Sequence, residues 1–166
     1  MADITLFGDP IRTWGELPEI GTTAPGFTLV TNDLETVSLS DFKGVNLIIN
    51  IFPSIDTSTC ALSVRRFNEK GADLENTKIL CVSRDLPFAQ GRFCAAEGLE
   101  NVVTLSDYRN DNFGENYGVM INGSKLSGLH SRAIVVIDEN GIVKYTEQVA
   151  ELKDEPDYDK ALAALN

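Results

Sequence analysis

Short apolar runs that alternate with amphipathic segments constrain this chain more than any other feature. Residues 46–52 and 78–83 are nearly continuous apolar runs of strand length, and residues 102–105 and 133–137 form two more. Strands of this composition are typically covered on both faces of a sheet. Because helical patterns lie between them, the chain is predicted to be an α/β protein with helices flanking a central sheet.

The amphipathic segments predict the helices. After Thr57, apolar side chains recur at Cys60, Val64 and Phe67. Their steps of four and three are the spacing of one helix face. A second helix is predicted to begin near Pro87 and to end before Gly98, since Pro favours the first helical turn and Gly the position after the last. The predicted helices cover residues 60–74, 87–97, 113–117 and 158–165.

Turn residues predict two hairpins and thereby the mixture of strand directions. Gly8-Asp9-Pro10 separates two short strand-like segments and predicts an amino-terminal β-hairpin. Residues 138–141 separate the run 133–137 from another strand and predict a late hairpin. The early strands are joined by helical crossovers, so the central sheet is expected to be mixed. With no linker-like stretch and no repeat, residues 1–166 are expected to form a single domain.

Charge and cysteine content exclude several classes of protein. The chain has 14 Lys+Arg against 25 Asp+Glu and a formal net charge of −11, which argues against nucleic-acid binding because that affinity depends on basic side chains. The sequence contains no apolar run long enough for a membrane span, and its amino end does not resemble a secretory signal. Three cysteines are too few for a disulfide scaffold, so a cytoplasmic location is expected.

Cys60 is the candidate reactive residue. It follows the carboxyl end of the predicted central strand, where α/β proteins usually bind ligands, and it lies in the first turn of the predicted helix. Free N–H groups and the positive end of the helix dipole favour a thiolate there. Thr57 is placed to cap this helix and to aim its hydroxyl at a molecule near the sulfur. The alternative interpretation is that Cys60 is a buried packing residue.

The other two cysteines have different surroundings. Cys81 lies inside an apolar strand and is expected to pack in the core. Cys94 lies on the second predicted helix and does not form a Cys-x-x-Cys pair with Cys60, which disfavours a dithiol reductase. Peroxide reduction requires at least a reactive cysteine and a separate second thiol. The reactive cysteine is oxidised to a sulfenic acid, which condenses with the second thiol to a disulfide. Because both residues are helical, local unwinding is expected before they bond.

Metal, cofactor and hydrolase chemistry lack sequence signals. His130 is the single histidine and has no second ligand at zinc-binding spacing, so neither a metal nor a cofactor is expected. Between a general base and a surface residue, His130 is interpreted as a surface residue. Trp14 is expected to pack near the amino-terminal hairpin. Phosphate-binding loops and the G-x-S-x-G motif are absent from the sequence.

One motif and several longer segments resemble a known family. Pro53-x-x-x-Thr57-x-x-Cys60 matches the active-site motif of peroxiredoxins. The longer segments resemble the bacterial thiol peroxidases, the atypical two-cysteine peroxiredoxins, over nearly the whole chain. These segments are NIFPSIDT (50–57), DLPFAQGRFC (85–94), AEGLENV (96–102), YGV (117–119), RAIVVIDENG (132–141) and EPDY (155–158).

The resemblance assigns roles to the candidate residues. It implies that Cys60 is the peroxidatic cysteine and Cys94 the resolving one, joined in a disulfide within one subunit, with Cys81 non-essential. It also implies that Pro53 shields the reactive sulfur.

The same resemblance implies that Thr57 donates or relays a hydrogen bond to the bound peroxide and that Arg132 holds the thiolate and the peroxide oxygens. It further implies a thioredoxin-like fold, a homodimer, thioredoxin as reductant, and hydroperoxide substrates with a preference for organic ones over hydrogen peroxide. Ser58 and Thr59 add two hydroxyls beside Cys60, and our hypothesis is that they make the pocket less suited to bulky apolar peroxides.

A function of another class stays open from the sequence. The chain could be a non-catalytic thioredoxin-like module that binds a partner or senses oxidant, with cysteines that only pack or oxidise. The two interpretations differ in turnover, because only a peroxidase would consume NADPH through thioredoxin and its reductase in a manner that requires Cys60.

Overall fold

The structure is a computed structural model that describes residues 1–109 and 112–166. The strands are β1 Asp3–Leu6, β2 Asp9–Thr13, β3 Thr28–Val30, β4 Thr36–Ser38, β5 Asn46–Ile51, β6 Thr77–Ser83, β7 Val103–Ser106, β8 Ile121–Asn122, β9 Ala133–Ile137 and β10 Val143–Gln148. The helices are α1 Ser58–Gly71, α2 Pro87–Glu97, α3 Asn112–Asn116 and α4 Tyr158–Ala163, and a short 3-10 helix spans Leu39–Phe42.

The main sheet is mixed, as predicted. Among the described residues it has seven strands in the order β10-β9-β5-β6-β7-β3-β4. β6 pairs in parallel with β5 and with β7, whereas β9 pairs antiparallel with β5 and β10. Residues 47–51 of β5 are buried, which is expected for a strand that is covered on both faces. The carboxyl ends of β5, β6 and β7 therefore meet at one edge of the sheet.

The core lies on both faces of this sheet. Side chains along β5 alternate between two apolar clusters, with Ile49 in one and Ile48 in the other. The cluster around Ile49 includes Phe113 of α3, and the cluster around Ile48 includes Phe67 of α1. The α1 helix is thereby fixed against the sheet by its apolar face.

The amino-terminal hairpin forms a separate small sheet. β1 and β2 pair antiparallel, which confirms the predicted hairpin, and β8 adds a third strand beside β2. The sequence did not predict β8, because two residues are too short to show a period. Gly118 lies near this sheet at a φ of +66°, and a Cβ there would overlap the Glu16 backbone.

The helix boundaries largely follow the prediction. α2 spans the predicted residues and ends at Gly98, whose φ of +62° suits glycine and whose N–H bonds to the Ala95 carbonyl. α1 ends at Gly71, earlier than the predicted Leu74. Gly71 packs closely against Ile79, where a Cβ would overlap the Ile79 side chain.

Two predictions about single side chains were wrong. Trp14 is exposed rather than packed. His130 is fully buried rather than at the surface, and its Nε2 lies 2.9 Å from Oδ2 of Asp107. Histidine occurs about equally in both settings, and Asp107 is distant in sequence, so no local pattern indicated this pair. Within the part of the chain that the structure describes, none of the helices is long and apolar enough to cross a membrane.

Candidate active site

Cys60 lies where the central strand leads into α1. The connection from β5 to α1 carries Pro53, which is buried, and Thr57, which is the N-cap of α1. The Thr57 Oγ1 accepts a hydrogen bond from the Cys60 N–H at 3.3 Å and donates one to the Ser54 carbonyl at 3.2 Å. The predicted capping is therefore present, and it holds Cys60 in the first turn, near the positive end of the helix dipole.

The Cys60 sulfur is enclosed. Its residue is 0% exposed and belongs to the apolar cluster that also contains Phe52 and Ile55. Arg132 Nη2 donates a hydrogen bond to Cys60 Sγ at 3.3 Å. A guanidinium in direct contact stabilises negative charge on sulfur, and a cysteine that only packs needs no such partner.

Arg132 is buried and held by hydrogen bonds at the start of β9. It directly precedes β9 and is only 2% exposed. Its Nε donates to the Leu152 carbonyl at 2.8 Å, and its own carbonyl accepts from Gln148 Nε2 at 3.0 Å. Among the described residues, Nη1 is buried and has no hydrogen-bond partner. The site therefore keeps one unused cationic donor beside the sulfur.

The segment that carries Leu152 is attached to the amino-terminal hairpin. The Glu151 carboxylate accepts hydrogen bonds from Thr5 Oγ1 at 2.6 Å, from the Phe7 N–H at 2.8 Å and from the Gly8 N–H at 3.1 Å. These bonds, led by the one from Thr5, lower the pKa of Glu151 to about 2. Sequence reasoning missed Glu151 because its partners lie at the other end of the chain.

Cys94 lies on α2 and is half-buried. Its sulfur is 3.4 Å from Thr104 Oγ1 on β7, and that hydroxyl donates to Asn32 Oδ1 at 3.0 Å. Cys81 is fully buried in β6, as expected for a packing residue, and burial raises the pKa of its thiol to about 12. Each of these cysteines is a free thiol in the structure, and so is Cys60.

A second polar link to Cys60 was not predicted. Asn50 is buried in β5, and its Nδ2 donates to Ser63 Oγ at 3.1 Å. The Ser63 hydroxyl donates in turn to the Cys60 carbonyl at 2.8 Å. In the sequence Asn50 only interrupts an apolar run, and a lone polar residue there carries no indication of its partner.

The two extra hydroxyls beside Cys60 differ in their contacts. Thr59 Oγ1 donates to the Lys153 carbonyl at 3.0 Å, so this hydroxyl is used in holding the first turn of α1. Ser58 is exposed. Of the two hydroxyls, that of Ser58 therefore remains the candidate for making the pocket less suited to bulky apolar peroxides.

The described residues hold no cluster of metal ligands, and an apolar cavity lies away from Cys60. Within residues 1–109 and 112–166, no group of three His, Cys, Asp or Glu side chains could hold a metal ion. An apolar cavity of about 630 Å³, lined by Phe27, Leu39 and Val45 among others, contains none of the candidate residues. Because Val45 precedes β5, that cavity lies at the other end of the strand from Cys60.

Comparisons with known proteins show which family the chain belongs to. The chain matches the Redoxin family model over residues 19–162. It is 54% identical over 166 residues to the thiol peroxidase of Corynebacterium glutamicum, with 100% of both chains covered. It is also 54% identical over 165 residues to a thiol peroxidase of Mycobacterium tuberculosis, with 99% of each covered.

Solved structures of related proteins have the same fold. A peroxiredoxin-like protein from Aquifex aeolicus superposes with a TM-score of 0.93 at 37% identity, covering 98% of this chain and 95% of that one. The thiol peroxidase from Chromobacterium violaceum gives a TM-score of 0.86 at 26% identity, covering 97% and 93%. The thioredoxin-like fold expected from the resemblance is confirmed. On these grounds the chain belongs to the thiol peroxidase family of peroxiredoxins.

Proposed function

We propose that this protein is a thiol-dependent peroxidase that reduces hydrogen peroxide and organic hydroperoxides. The observation that carries the proposal is the contact between Arg132 Nη2 and Cys60 Sγ, with a second buried guanidinium donor, Nη1, left unused beside it. A packing cysteine needs no such partner, whereas a thiolate that attacks an O–O bond needs both its own stabilisation and a donor for the oxygens. Residues 1–166 are proposed to act as one peroxidase domain.

In the first step the Cys60 thiolate attacks the terminal oxygen of the hydroperoxide, the one that carries the hydrogen, and becomes a sulfenic acid. An S–O bond forms, the O–O bond breaks, and the other oxygen leaves as an alkoxide or hydroxide that takes up a proton. Negative charge moves from sulfur to oxygen, so donors that are already in place lower the barrier. Arg132 Nη1 and the Thr57 hydroxyl are the proposed donors, and Thr57 would exchange its bond to the Ser54 carbonyl for one to the peroxide.

Access to the sulfur requires a small displacement of its cover. Cys60 has no exposed surface, whereas Thr57 at the head of α1 is exposed. We propose that the peroxide enters past Thr57 and that buried Pro53 keeps water from the sulfur on the other side. A pocket with little water strengthens every charged contact inside it.

In the second step Cys94 resolves the sulfenic acid. Its sulfur replaces the Cys60 hydroxyl, an S–S bond forms, and water leaves. Reduced thioredoxin then supplies two electrons by thiol–disulfide exchange and restores both thiols. A reducing cytoplasm, which keeps such thiols free, is the proposed location, and a homodimer is the proposed assembly.

The direct test is mass spectrometry after one equivalent of hydrogen peroxide. The expected result is the loss of two hydrogens and a crosslinked peptide that joins Cys60 and Cys94. The Cys60→Ser variant should show neither this product nor peroxide-dependent NADPH consumption with thioredoxin and its reductase. Cys81→Ser is the matched control and should retain both. A wild-type protein that oxidises without turnover would instead support a sensing or binding module.

A further inference from the structure

We propose that Asp85 is a positioning residue for both thiol steps. Its carboxylate holds the loop before Cys60 in the position that reacts with peroxide, and the opening of α2 releases that loop so that Cys94 can reach the sulfenic acid. This inference rests on the peroxidase function proposed above. Asp85 touches neither sulfur and acts through the segments that carry them.

The Asp85 carboxylate joins two loops at one edge of the sheet. Asp85 lies between β6 and α2, whereas Ser54 and Ile55 lie between β5 and α1. Asp85 Oδ1 accepts from Ser54 Oγ at 2.7 Å, and Oδ2 accepts from the Ile55 N–H at 2.7 Å. Hydrogen bonds to a charged acceptor are short and about twice as strong as those between neutral groups. One carboxylate thus fixes the loop before Cys60 against the entry to the Cys94 helix.

From Ser54 a chain of hydrogen bonds continues to Cys60. The Ser54 carbonyl accepts from the Thr57 N–H at 3.2 Å, a bond that remains when the Thr57 hydroxyl turns to the peroxide, and Thr57 Oγ1 accepts from the Cys60 N–H at 3.3 Å. Ser54 Oγ also accepts from the Asp56 N–H at 3.2 Å. The position of the Ser54 backbone therefore determines where the helix cap and the reactive sulfur lie.

From the same carboxylate a second chain leads into α2. Ser83 Oγ donates to Asp85 Oδ2 at 2.6 Å. Since that hydroxyl has a single hydrogen, it accepts the bond from Gln90 Nε2 at 3.1 Å. Gln90 is buried on α2, one turn before Cys94, and its Nε2 also donates to the Leu105 carbonyl at 2.9 Å. Unwinding of α2 would withdraw Gln90 from Ser83 and so weaken the support of the Asp85 carboxylate, which lies two residues before the helix.

Attack on peroxide and resolution by Cys94 should depend on Asp85 in opposite ways. Attack on peroxide needs the loop held, because small displacements of reacting groups are costly in rate. Resolution needs the loop and α2 released, because both cysteines start on helices that are held apart. Weakening the hydrogen bonds to the Asp85 carboxylate should therefore lower the rate of attack on peroxide. The rate of disulfide formation should stay unchanged or rise.

The test uses the Asp85→Asn variant of the full chain. Rapid acid quench and mass spectrometry after mixing with hydrogen peroxide give the rate of oxygen addition at Cys60 and the rate of its conversion to the disulfide. We expect the second-order rate of the first step to fall roughly tenfold and the first-order rate of the second step not to fall. General destabilisation would instead slow both steps.

Asp56→Asn is the matched control. It lies in the same loop and loses the same charge, but its carboxylate only approaches Arg92 Nη2 at 3.9 Å on the surface. Both of its rates should stay within about twofold of wild type. If Asp85→Asn does not fold, Ser54→Ala removes one of the donors to Asp85, and its first step should slow by roughly threefold.

The outcomes separate this inference from the proposed function. Rates of Asp85→Asn within twofold of wild type, or an equal fall in both steps, would overturn the role of Asp85 while wild-type activity stands. An unchanged rate of oxygen addition at Cys60 in Ser54→Ala would likewise overturn the role of Asp85. A wild-type protein that adds no oxygen at Cys60 would instead overturn the peroxidase proposal itself.

Discussion

At the scale of single residues, the proposed function rests on a few polar contacts inside an apolar cluster. Arg132 is buried at high desolvation cost, and its Nε contact with Leu152 and Nη2 contact with Cys60 offset only part of that cost. The remaining donor, Nη1, has no partner among the described residues. Such an arrangement is typical of a group whose best partner exists only during the reaction.

Replacing Arg132 should therefore slow the reaction with peroxide. Arg132→Gln keeps a donor at the site but removes its charge, and we expect the second-order rate of Cys60 oxidation to fall roughly 100-fold. Stopped-flow measurement with hydrogen peroxide checks this. Arg12→Gln, which removes an exposed guanidinium that pairs with Asp3, is the control and should not change the rate. An Arg132→Gln rate near that of wild type would contradict the role of this side chain.

Cys81 should be chemically silent in the folded protein. Burial raises the pKa of its thiol to about 12, so almost no thiolate exists at pH 8 and iodoacetamide should not label it without denaturant. Cys81→Ala should keep full peroxidase activity and lower the free energy of unfolding by about 1 kcal/mol, since it leaves a small cavity. Peptide mapping of labelled protein and urea unfolding measure the two effects. Rapid native labelling of Cys81 would be inconsistent with its burial.

At the scale of elements, segments distant in sequence hold the site. The hairpin of β1 and β2 braces Glu151, the neighbouring Leu152 holds Arg132, and Arg132 holds the sulfur. On the other side, α2 carries Cys94 and is tied to β7 through Thr104. In the proposed cycle the connection to Arg132 persists, whereas the connection between α2 and β7 opens.

The connection through Glu151 should depend on pH. Its pKa lies at about 2 in the folded protein, against 4.5 for an ordinary Glu, so the unfolded state binds a proton first as pH falls. The stability that this carboxylate contributes is present above pH 4.5 and is lost between about pH 4.5 and 2. The difference in free energy of unfolding between wild type and Glu151→Gln, measured in urea, should shrink across this window. Other carboxylates titrate in both proteins and cancel, so a constant difference would contradict the prediction.

The α2 helix, the first turn of α1, or both should lose protection when the disulfide forms. Cys60 and Cys94 start as free thiols on two helices, and local unwinding is the least costly way to join them. Amide hydrogen exchange with mass spectrometry should show faster exchange in α2, in the first turn of α1, or in both, for the disulfide form. Peptides from β5 serve as the internal control and should not change. Equal protection of both helices in the two redox states would argue against opening.

At the scale of the whole molecule, exposed apolar side chains at the start of α2 bear on the proposed dimer. Phe88 is 68% exposed and Leu86 is 52% exposed at the start of α2, and adjacent exposed apolar side chains are typical of interaction surfaces. Sedimentation should give twice the monomer mass of 18.1 kDa. Phe88→Asp should shift the protein toward the monomer, whereas Phe7→Asp, at a similarly exposed position of 73%, should not. A wild-type monomer at micromolar concentration would contradict the proposed dimer.

Much of the architecture follows from local patterns. The apolar runs predicted β5, β6, β7 and β9, and the end residues Pro87 and Gly98 predicted α2. The short β4 and β8 escaped prediction because their pairing partners, rather than their own sequence, make them strands.

The amino-acid sequence by itself determined the α/β class, the placement of Cys60 in the first turn of a helix and the family, because periodicity, capping and motifs are properties of neighbouring residues. Tertiary structure alone decided that Arg132 contacts the sulfur, that His130 is buried against Asp107, and how Asp85 joins the two cysteine-bearing segments. These contacts join residues far apart in the chain. Hydrogen bonds and burial of that kind exist only after the sheet has brought its strand ends together.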